Sequence, residues 1–142
     1  MHAGPPSRSP GQARAHMLSF DVEEYFQVEA AAAAGLRPED WGGWERRLDP
    51  AVGRVLELLA GRGATATFFV LGWVAREEPG VVERIARAGH EIASHGMTHA
   101  MLGRLGPERF ATELAESRRL LEDLSGRPVR GSTMWLYRWP SI

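Results

Sequence analysis

The sequence predicts an α/β fold built on parallel strands, and three observations lead to this class. Short apolar segments alternate with segments of helical periodicity, in the order strand, helix, strand, helix, strand, helix, strand. Residues 64–70 are β-branched and aromatic without strict alternation, as expected for a strand that is buried on both faces. The composition, 44% hydrophobic and 25% charged over 142 residues, is that of a globular protein that can bury one core.

The predicted strands are short apolar segments that end in polar residues or turns. They are residues 17–22, 64–70, 90–94 and 127–131. In folds of this class the chemistry collects at the carboxyl ends of the strands. Asp21, Glu23 and His95 stand at such ends, so we expect the functional site there.

Three helices are predicted from apolar spacing and end signals. Residues 48–63 contain Asp49 as a candidate N-cap, Pro50 at the first helical position, and Gly61 or Gly63 at the end. Residues 79–89 form a second helix that ends at Gly89. Residues 28–36 are a helical turn or a loop, and residues 38–47 form an exposed loop.

The third predicted helix covers residues 107–126 and has the clearest apolar stripe. We expect its many charged residues to form the solvated face. The residues expected to face inward are Phe110, Leu114, Leu121 and Leu124.

The amino-terminal residues 1–16 are rich in Pro, Gly, Ser and Arg and contain no apolar stretch. They predict a disordered leader before a domain at residues 17–142, with no secretory signal, so the cytoplasm is the default location. The apolar run at residues 64–75 is too short for a membrane span. A net charge of −1 indicates no nucleic-acid partner, and the absence of cysteine restricts any metal site to His, Asp, Glu or backbone ligands.

Two histidines in the stretch GHEIASHGMTH are four residues apart. On a helical turn the rings of His95 and His99 would project to the same side and could chelate one divalent cation. The alternative is a pair of surface histidines, or histidines that are satisfied within the fold. His90 has no second ring at a matching offset, and we expect it to pack or cap at the turn before its strand.

The stretch FDVEEYF supplies acidic residues. On an extended strand Asp21 and Glu23 share a face while Glu24 points away, which favours Glu23 as a ligand and Asp21 as a free base. The alternative is an ordinary strand end whose acids face water. Together with the histidine pair, Glu23 completes a two-His, one-carboxylate set that leaves positions open for water and substrate.

The motifs SFDVEEYFQV, ATATFFVLGWVA, GHEIASHGMTH and RPVRG occur in this order over residues 17–131. In this combination the chain resembles the polysaccharide deacetylases of the chitooligosaccharide deacetylase-like (NodB-homology) type, most of all an exopolysaccharide-associated bacterial branch. The resemblance implies a distorted (β/α) barrel that removes N-acetyl groups from polysaccharides or oligosaccharides. It also implies one divalent metal, usually zinc.

The resemblance also implies roles for individual residues. Asp21 would be the general base, His95 and His99 would be metal ligands, and Glu23 would be the acidic third ligand. An alignment of adjacent acids leaves Glu24 as an alternative to Glu23. The leaving amine would receive its proton from a histidine in a late motif.

The chain departs from the family pattern after residue 99. No histidine follows His99, and an Arg-x-Pro motif is expected directly after VRG, where residues 132–136 intervene. Arg138 and Pro140 could still supply that motif, with Arg138 orienting Asp21 through a charged hydrogen bond. The alternative is that residues 132–142 are an altered tail.

These departures predict a barrel that is truncated after about half of its strands, and they keep three functions open. The first is a metal-dependent polysaccharide N-deacetylase. The second is a non-catalytic relic or sugar-binding fragment that lacks the late acid. The third keeps the metal site but takes a cyclic amide or ureide as substrate.

Overall fold

A three-stranded parallel sheet forms the centre of the computed structural model, which describes residues 16–133 apart from the side chain of Leu102. Strands β1 (Ser19–Val22), β2 (Thr67–Val70) and β3 (Glu91–Ser94) lie in the order β1-β2-β3. Each lies inside its predicted range, so the α/β class with parallel strands is confirmed. Residues 127–131, predicted as the start of a fourth strand, form no strand, and the chain makes one isolated parallel bridge just after them, between Ser94 and Ser132.

Helices connect the strands and cover the core. They are α1 (Glu29–Ala33), α2 (Leu48–Ala60), α3 (Gly72–Glu77), α4 (Pro79–Arg87), α5 (Leu102–Leu105) and α6 (Pro107–Ser125), with a 3₁₀ helix at Pro38–Gly43. Within residues 16–133, no helix combines the length and the apolar character that a membrane crossing requires. Residues 1–15 of the predicted leader lie outside the described residues.

Helix α3 was not predicted from the sequence. Its first four residues are all buried, and they follow directly on the buried end of β2. A helix that is covered on most sides shows no alternation of apolar and polar residues, so its sequence cannot be distinguished from a continuing strand.

The start of α2 differs from the prediction. Asp49 lies inside the first turn instead of capping it, and its carboxylate forms an ion pair with Arg84 of α4. The first backbone N–H groups of the helix are bound instead by Glu24, which lies far away in the sequence. A cap supplied by another segment leaves no local sequence signal.

The buried face of α6 also differs from the predicted stripe. Leu121 is fully buried as expected, but the other predicted residues are only half-buried. Polar side chains replace them on the packed face, because this face meets the polar end of β3. The buried residues of α6 are Glu113, Ser117 and Leu121, and the half-buried predicted ones are Phe110, Leu114 and Leu124.

The hydrophobic core lies between one face of the sheet and the helices. Val22, Phe68, Val70 and Ile92 are all less than a tenth exposed. Burial of each such side chain stabilises the fold by about 1.5–3 kcal/mol relative to leaving it in water. Since side chains alternate along a strand, Asp21 lies on the opposite face of the sheet from this core, where its side chain is exposed.

Candidate metal centre

The carboxyl ends of β1 and β3 bring two predicted site residues to one edge of the sheet. Glu23 is the first residue after β1, and His95 is the first residue after β3. The backbone N–H of His95 donates to the carbonyl of Val70 at the end of β2, with N and O 3.0 Å apart. Because all three strands are parallel, their last residues share this edge, and Glu23 and His95 meet there although 72 positions separate them in the sequence.

Glu23, His95 and His99 form a compact cluster of donor atoms. One ligand atom from each of them lies within 4.8 Å of the others. Glu23 Oε2 is 2.9 Å from His99 Nε2 and 3.8 Å from His95 Nε2. Two ligands on a tetrahedral zinc ion are separated by about 3.3 Å, given metal–ligand bonds of about 2.0–2.1 Å. The cluster therefore has the dimensions of a three-ligand metal site.

The ring of His95 is oriented by a hydrogen bond from its other nitrogen. His95 Nδ1 is 3.0 Å from the carbonyl oxygen of Thr133, and this contact requires Nδ1 to carry the proton. Nε2 is then the nitrogen with the lone pair. It is buried and has no hydrogen-bond partner among the described residues. A metal-binding histidine is commonly held in this way, with its second nitrogen on a carbonyl.

His99 reaches the cluster from a loop rather than from a helical turn. The expectation that the two histidines lie on a helical turn is wrong, because residues 95–101 are not helical and His99 has a φ of 56°. The rings nevertheless meet, with centroids 5.0 Å apart. Burial by itself lowers the pKa of His99, but the hydrogen bond to Glu23 and its negative charge outweigh burial, so the pKa lies above its ordinary value.

The loop between the two histidines is seated on the amino terminus of α3. The N–H of Gly72 donates to the carbonyl of Gly96 at 2.7 Å, and the N–H of Trp73 donates to the carbonyl of Met97 at 3.1 Å. A side chain at position 72 would force the buried Met97 to move, since an added Cβ would lie 2.1 Å from Met97 Sδ. The glycine therefore allows the close approach that fixes the loop.

The polar face of α6 holds the same loop from the other side. The hydroxyls of Ser94 and Ser117 are 2.6 Å apart, and Ser94 Oγ accepts the N–H of Gly96 at 3.1 Å. Thr98 donates to Glu113 Oε2 at 2.9 Å. Each of these bonds involves a direct neighbour of His95 or His99. The sequence analysis missed these supporting residues, although Glu113, Ser117 and Leu121 follow each other at a helical spacing of four.

The neighbouring acid Glu24 has a different environment. Its side chain is 2% exposed, and Oε1 accepts the backbone N–H groups of Arg47 at 2.7 Å and Leu48 at 2.9 Å. This carboxylate binds the amino terminus of α2, where the helix dipole favours negative charge. The strand-face preference for Glu23 over Glu24 therefore agrees with the geometry, even though β1 ends at Val22, one residue before Glu23.

The remaining predicted residues lie apart from the cluster or outside the described chain. Asp21 is exposed near the end of β1 and makes no hydrogen bond or ion pair with the described residues. His90 precedes β3, at the opposite end of the sheet, and its buried ring packs 5.2 Å from that of Phe68, which agrees with a structural role. Arg138 and Pro140 lie outside the described residues.

The chain is similar to several known proteins. A chitooligosaccharide deacetylase from Rhizobium leguminosarum bv. trifolii is 40% identical over 65 residues, which are 46% of this chain and 30% of that protein. A Mycobacterium smegmatis protein assigned to the polysaccharide deacetylases superposes with a TM-score of 0.67 at 28% identity, covering 94% of this chain and 49% of that one.

A pseudoenzyme of the CE4 family from Bacillus anthracis is also similar, with a TM-score of 0.58 at 26% identity, covering 59% of this chain and 30% of that one. The chain thus spans less than half the length of each of these three proteins. The family model for polysaccharide deacetylases matches residues 43–141, which is more than half of the chain. The chain therefore belongs to the polysaccharide deacetylase family.

Proposed function

We propose that this chain is the site-bearing part of a metal-dependent hydrolase that removes N-acetyl groups from an N-acetylated polysaccharide. The observation that carries the proposal is the cluster of Glu23, His95 and His99 at the strand ends. Because the chain belongs to a deacetylase family, we assign to this cluster the hydrolysis of a linear acetamide.

The donor set suits one divalent ion, and zinc best. Two imidazole nitrogens and one carboxylate oxygen are common zinc ligands, and three protein ligands leave a position for water or substrate. When bound, the ion would polarise the acetamide carbonyl and lower the pKa of a water molecule. The buried, unbonded Nε2 of His95 supports this assignment, because such a lone pair is costly to leave unpaired in the interior.

The side chains around the cluster would then divide the remaining work. Asp21 has an exposed carboxylate two residues before Glu23, and we assign to it the acceptance of a proton from the attacking water. Thr133 keeps His95 in one tautomer through its carbonyl. Arg138 would orient Asp21, as the family resemblance implies.

The proposal extends to the architecture. The parallel sheet and the isolated parallel bridge between Ser94 and Ser132 support a distorted (β/α) barrel of which residues 17–142 form part. The similarity to the Mycobacterium smegmatis structure over 94% of this chain supports the same architecture. An exopolysaccharide remains the proposed substrate source, on the sequence resemblance alone.

A second candidate function is favoured by one specific observation. One of the similar structures is a CE4 pseudoenzyme. Under this alternative the chain binds a metal or a sugar without turnover.

One experiment separates the two functions. The zinc-loaded chain is incubated with N-acetylglucosamine oligomers, and the released amines are counted, with small cyclic imides as a second substrate class. Turnover that disappears in Asp21→Asn and survives in His90→Ala supports the deacetylase. Bound zinc without amine release above background supports the non-catalytic alternative instead.

A further inference from the structure

A cavity of about 170 Å³ opens directly beside the candidate metal centre. His99 and Thr98 line one side of it, and the buried rings of Phe26 and Trp41 line another. The cavity is therefore close enough to the cluster to hold a group of the same substrate molecule. Its apolar part also lowers the local dielectric, which strengthens any charge interaction within it.

Gln27 lines this cavity and carries a hydrogen-bond donor without a partner among the described residues. The side chain lines the cavity and is 2% exposed. Its Oε1 accepts the backbone N–H of Glu24 at 2.7 Å, and this contact fixes which end of the amide is the oxygen. Nε2 is buried and has no hydrogen-bond partner among the described residues. A buried donor of this kind is available to an acceptor that a ligand supplies.

The charged residues of the cavity are mostly cationic. Arg37, Arg104 and Arg109 line it, and Glu29 is the one carboxylate among its described lining residues. Glu29 is 3.7 Å from Arg104, in an exposed ion pair that contributes little. Arg109 pairs with Glu113 at 3.3 Å, whereas Arg37 has no ion pair among the described residues. The lining therefore carries three guanidinium groups and one carboxylate.

We propose that this cavity binds the carboxylate of an acidic sugar that neighbours the N-acetylated sugar at the candidate metal centre. The substrate class is then an anionic N-acetylated polysaccharide. Planar guanidinium groups and an amide N–H all donate, and a carboxylate is an acceptor of matching shape, while a neutral sugar brings hydroxyls that need acceptors as well. This inference rests on the proposed function, because it names the substrate of that site.

Binding of two tetrasaccharides of equal length tests the inference by calorimetry on the full chain. One alternates N-acetylglucosamine with glucuronic acid, and the other is the neutral tetramer of N-acetylglucosamine. We expect the acidic one to bind about tenfold more tightly at low salt, with the difference shrinking as salt screens the charges. Equal affinities, or no binding of the acidic tetrasaccharide, would overturn the inference.

Two variants and a control locate the effect in the cavity. Arg104→Gln, at a side chain that is 73% exposed, should weaken the acidic tetrasaccharide about threefold and leave the neutral one unchanged. Gln27→Glu keeps the acceptor for Glu24 but replaces the donor by a negative charge, and should weaken it about tenfold or more. Arg62→Gln, outside the cavity, should change neither. Loss of both sugars in the two cavity variants, or of neither, contradicts the inference.

Two further measurements distinguish a carboxylate site from a general anion site, and the inference from the proposed function. Free glucuronate should compete for the acidic tetrasaccharide better than inorganic phosphate, and the reverse order would overturn the carboxylate assignment. Amine release from the neutral tetramer is counted in parallel. If that release occurs while the acidic preference is absent, the inference fails and the proposed function stands. If no oligomer is deacetylated and no zinc binds, the proposed function fails.

Discussion

Replacing Glu24 should lower the stability of the fold and leave metal binding unchanged. Replacing Glu23 should weaken metal binding and leave the stability nearly unchanged. Glu24 Oε1 accepts two backbone N–H groups at the start of α2, at 2.7 and 2.9 Å, and the side chain is 2% exposed. Glu23 Oε2 instead lies among the histidine nitrogens. We therefore expect Glu24 to serve stability and Glu23 to serve metal binding.

The magnitude follows from the two N–H groups that Glu24→Ala would leave without an acceptor. Each buried, unsatisfied donor costs about 1–3 kcal/mol, and loss of a helix cap alone costs about 0.5–2 kcal/mol. We expect Glu24→Ala to lower the free energy of unfolding by about 2–4 kcal/mol. For a chain of 142 residues, 1 kcal/mol shifts Tm by about 3 °C. Glu24→Gln keeps an acceptor oxygen and should cost about 1 kcal/mol or less.

Urea unfolding and metal stoichiometry of the same preparations measure both effects. Glu23→Ala should bind metal at least tenfold more weakly, with an unfolding free energy of the metal-free protein within about 1 kcal/mol of the parent. If Glu24→Ala instead lost the metal at unchanged stability, or Glu23→Ala kept it, the separation of roles would be refuted.

The other predictions concern the histidines and two further acids. His95→Ala and His99→Ala should each abolish zinc binding, measured by elemental analysis, while His90→Ala keeps about one zinc per chain; equal losses in all three would show that the ligands are misassigned. Glu113→Ala should weaken zinc about tenfold in a chelator competition, with recovery in Glu113→Gln, because the carboxylate accepts a hydroxyl of the ligand loop; unchanged affinity would exclude this positioning role. Burial raises the pKa of Glu78, so the folded protein binds the carboxyl proton more tightly than the unfolded chain does. The folded protein therefore loses stability as the pH rises from the ordinary pKa of a glutamate to the raised pKa of Glu78. Glu78→Gln should therefore be more stable than the parent at about pH 7, by a few tenths of a kcal/mol, and equal to it at about pH 4; urea midpoints that differ equally at both pH values would contradict this.

Local sequence signals were sufficient where the structure depends on local properties. The strands at residues 17–22, 64–70 and 90–94 were predicted because β-branched and aromatic residues are flanked by turn residues. The end of α4 was predicted from Gly89. In the structure this glycine takes a φ of 86°, which few other residues adopt without strain. From these elements followed the parallel sheet and the edge at which chemistry was expected.

Local signals failed where a segment meets a distant one. Helix α3 shows no helical period because it is buried, and the cap of α2 comes from Glu24, on the far side of the 3₁₀ helix in the sequence. The packed face of α6 carries Glu113 and Ser117, because the neighbouring loop brings polar groups that need partners. Apolar spacing predicted a different face, since periodicity does not show which neighbour a helix will have.

The sequence by itself determined which residues could bind a metal. It contains no cysteine, and its two histidines four positions apart follow a predicted strand, so the candidate ligands were His95, His99 and an acid beside Asp21. The strand pattern already favoured Glu23 over Glu24, but only the tertiary structure shows which neighbours each carboxylate meets, because these depend on where the chain turns after β1. The cavity beside His99 could not be predicted from the sequence either. Gln27, Arg37 and Arg104 come from separate segments, and their proximity exists only once the loops around His99 have packed.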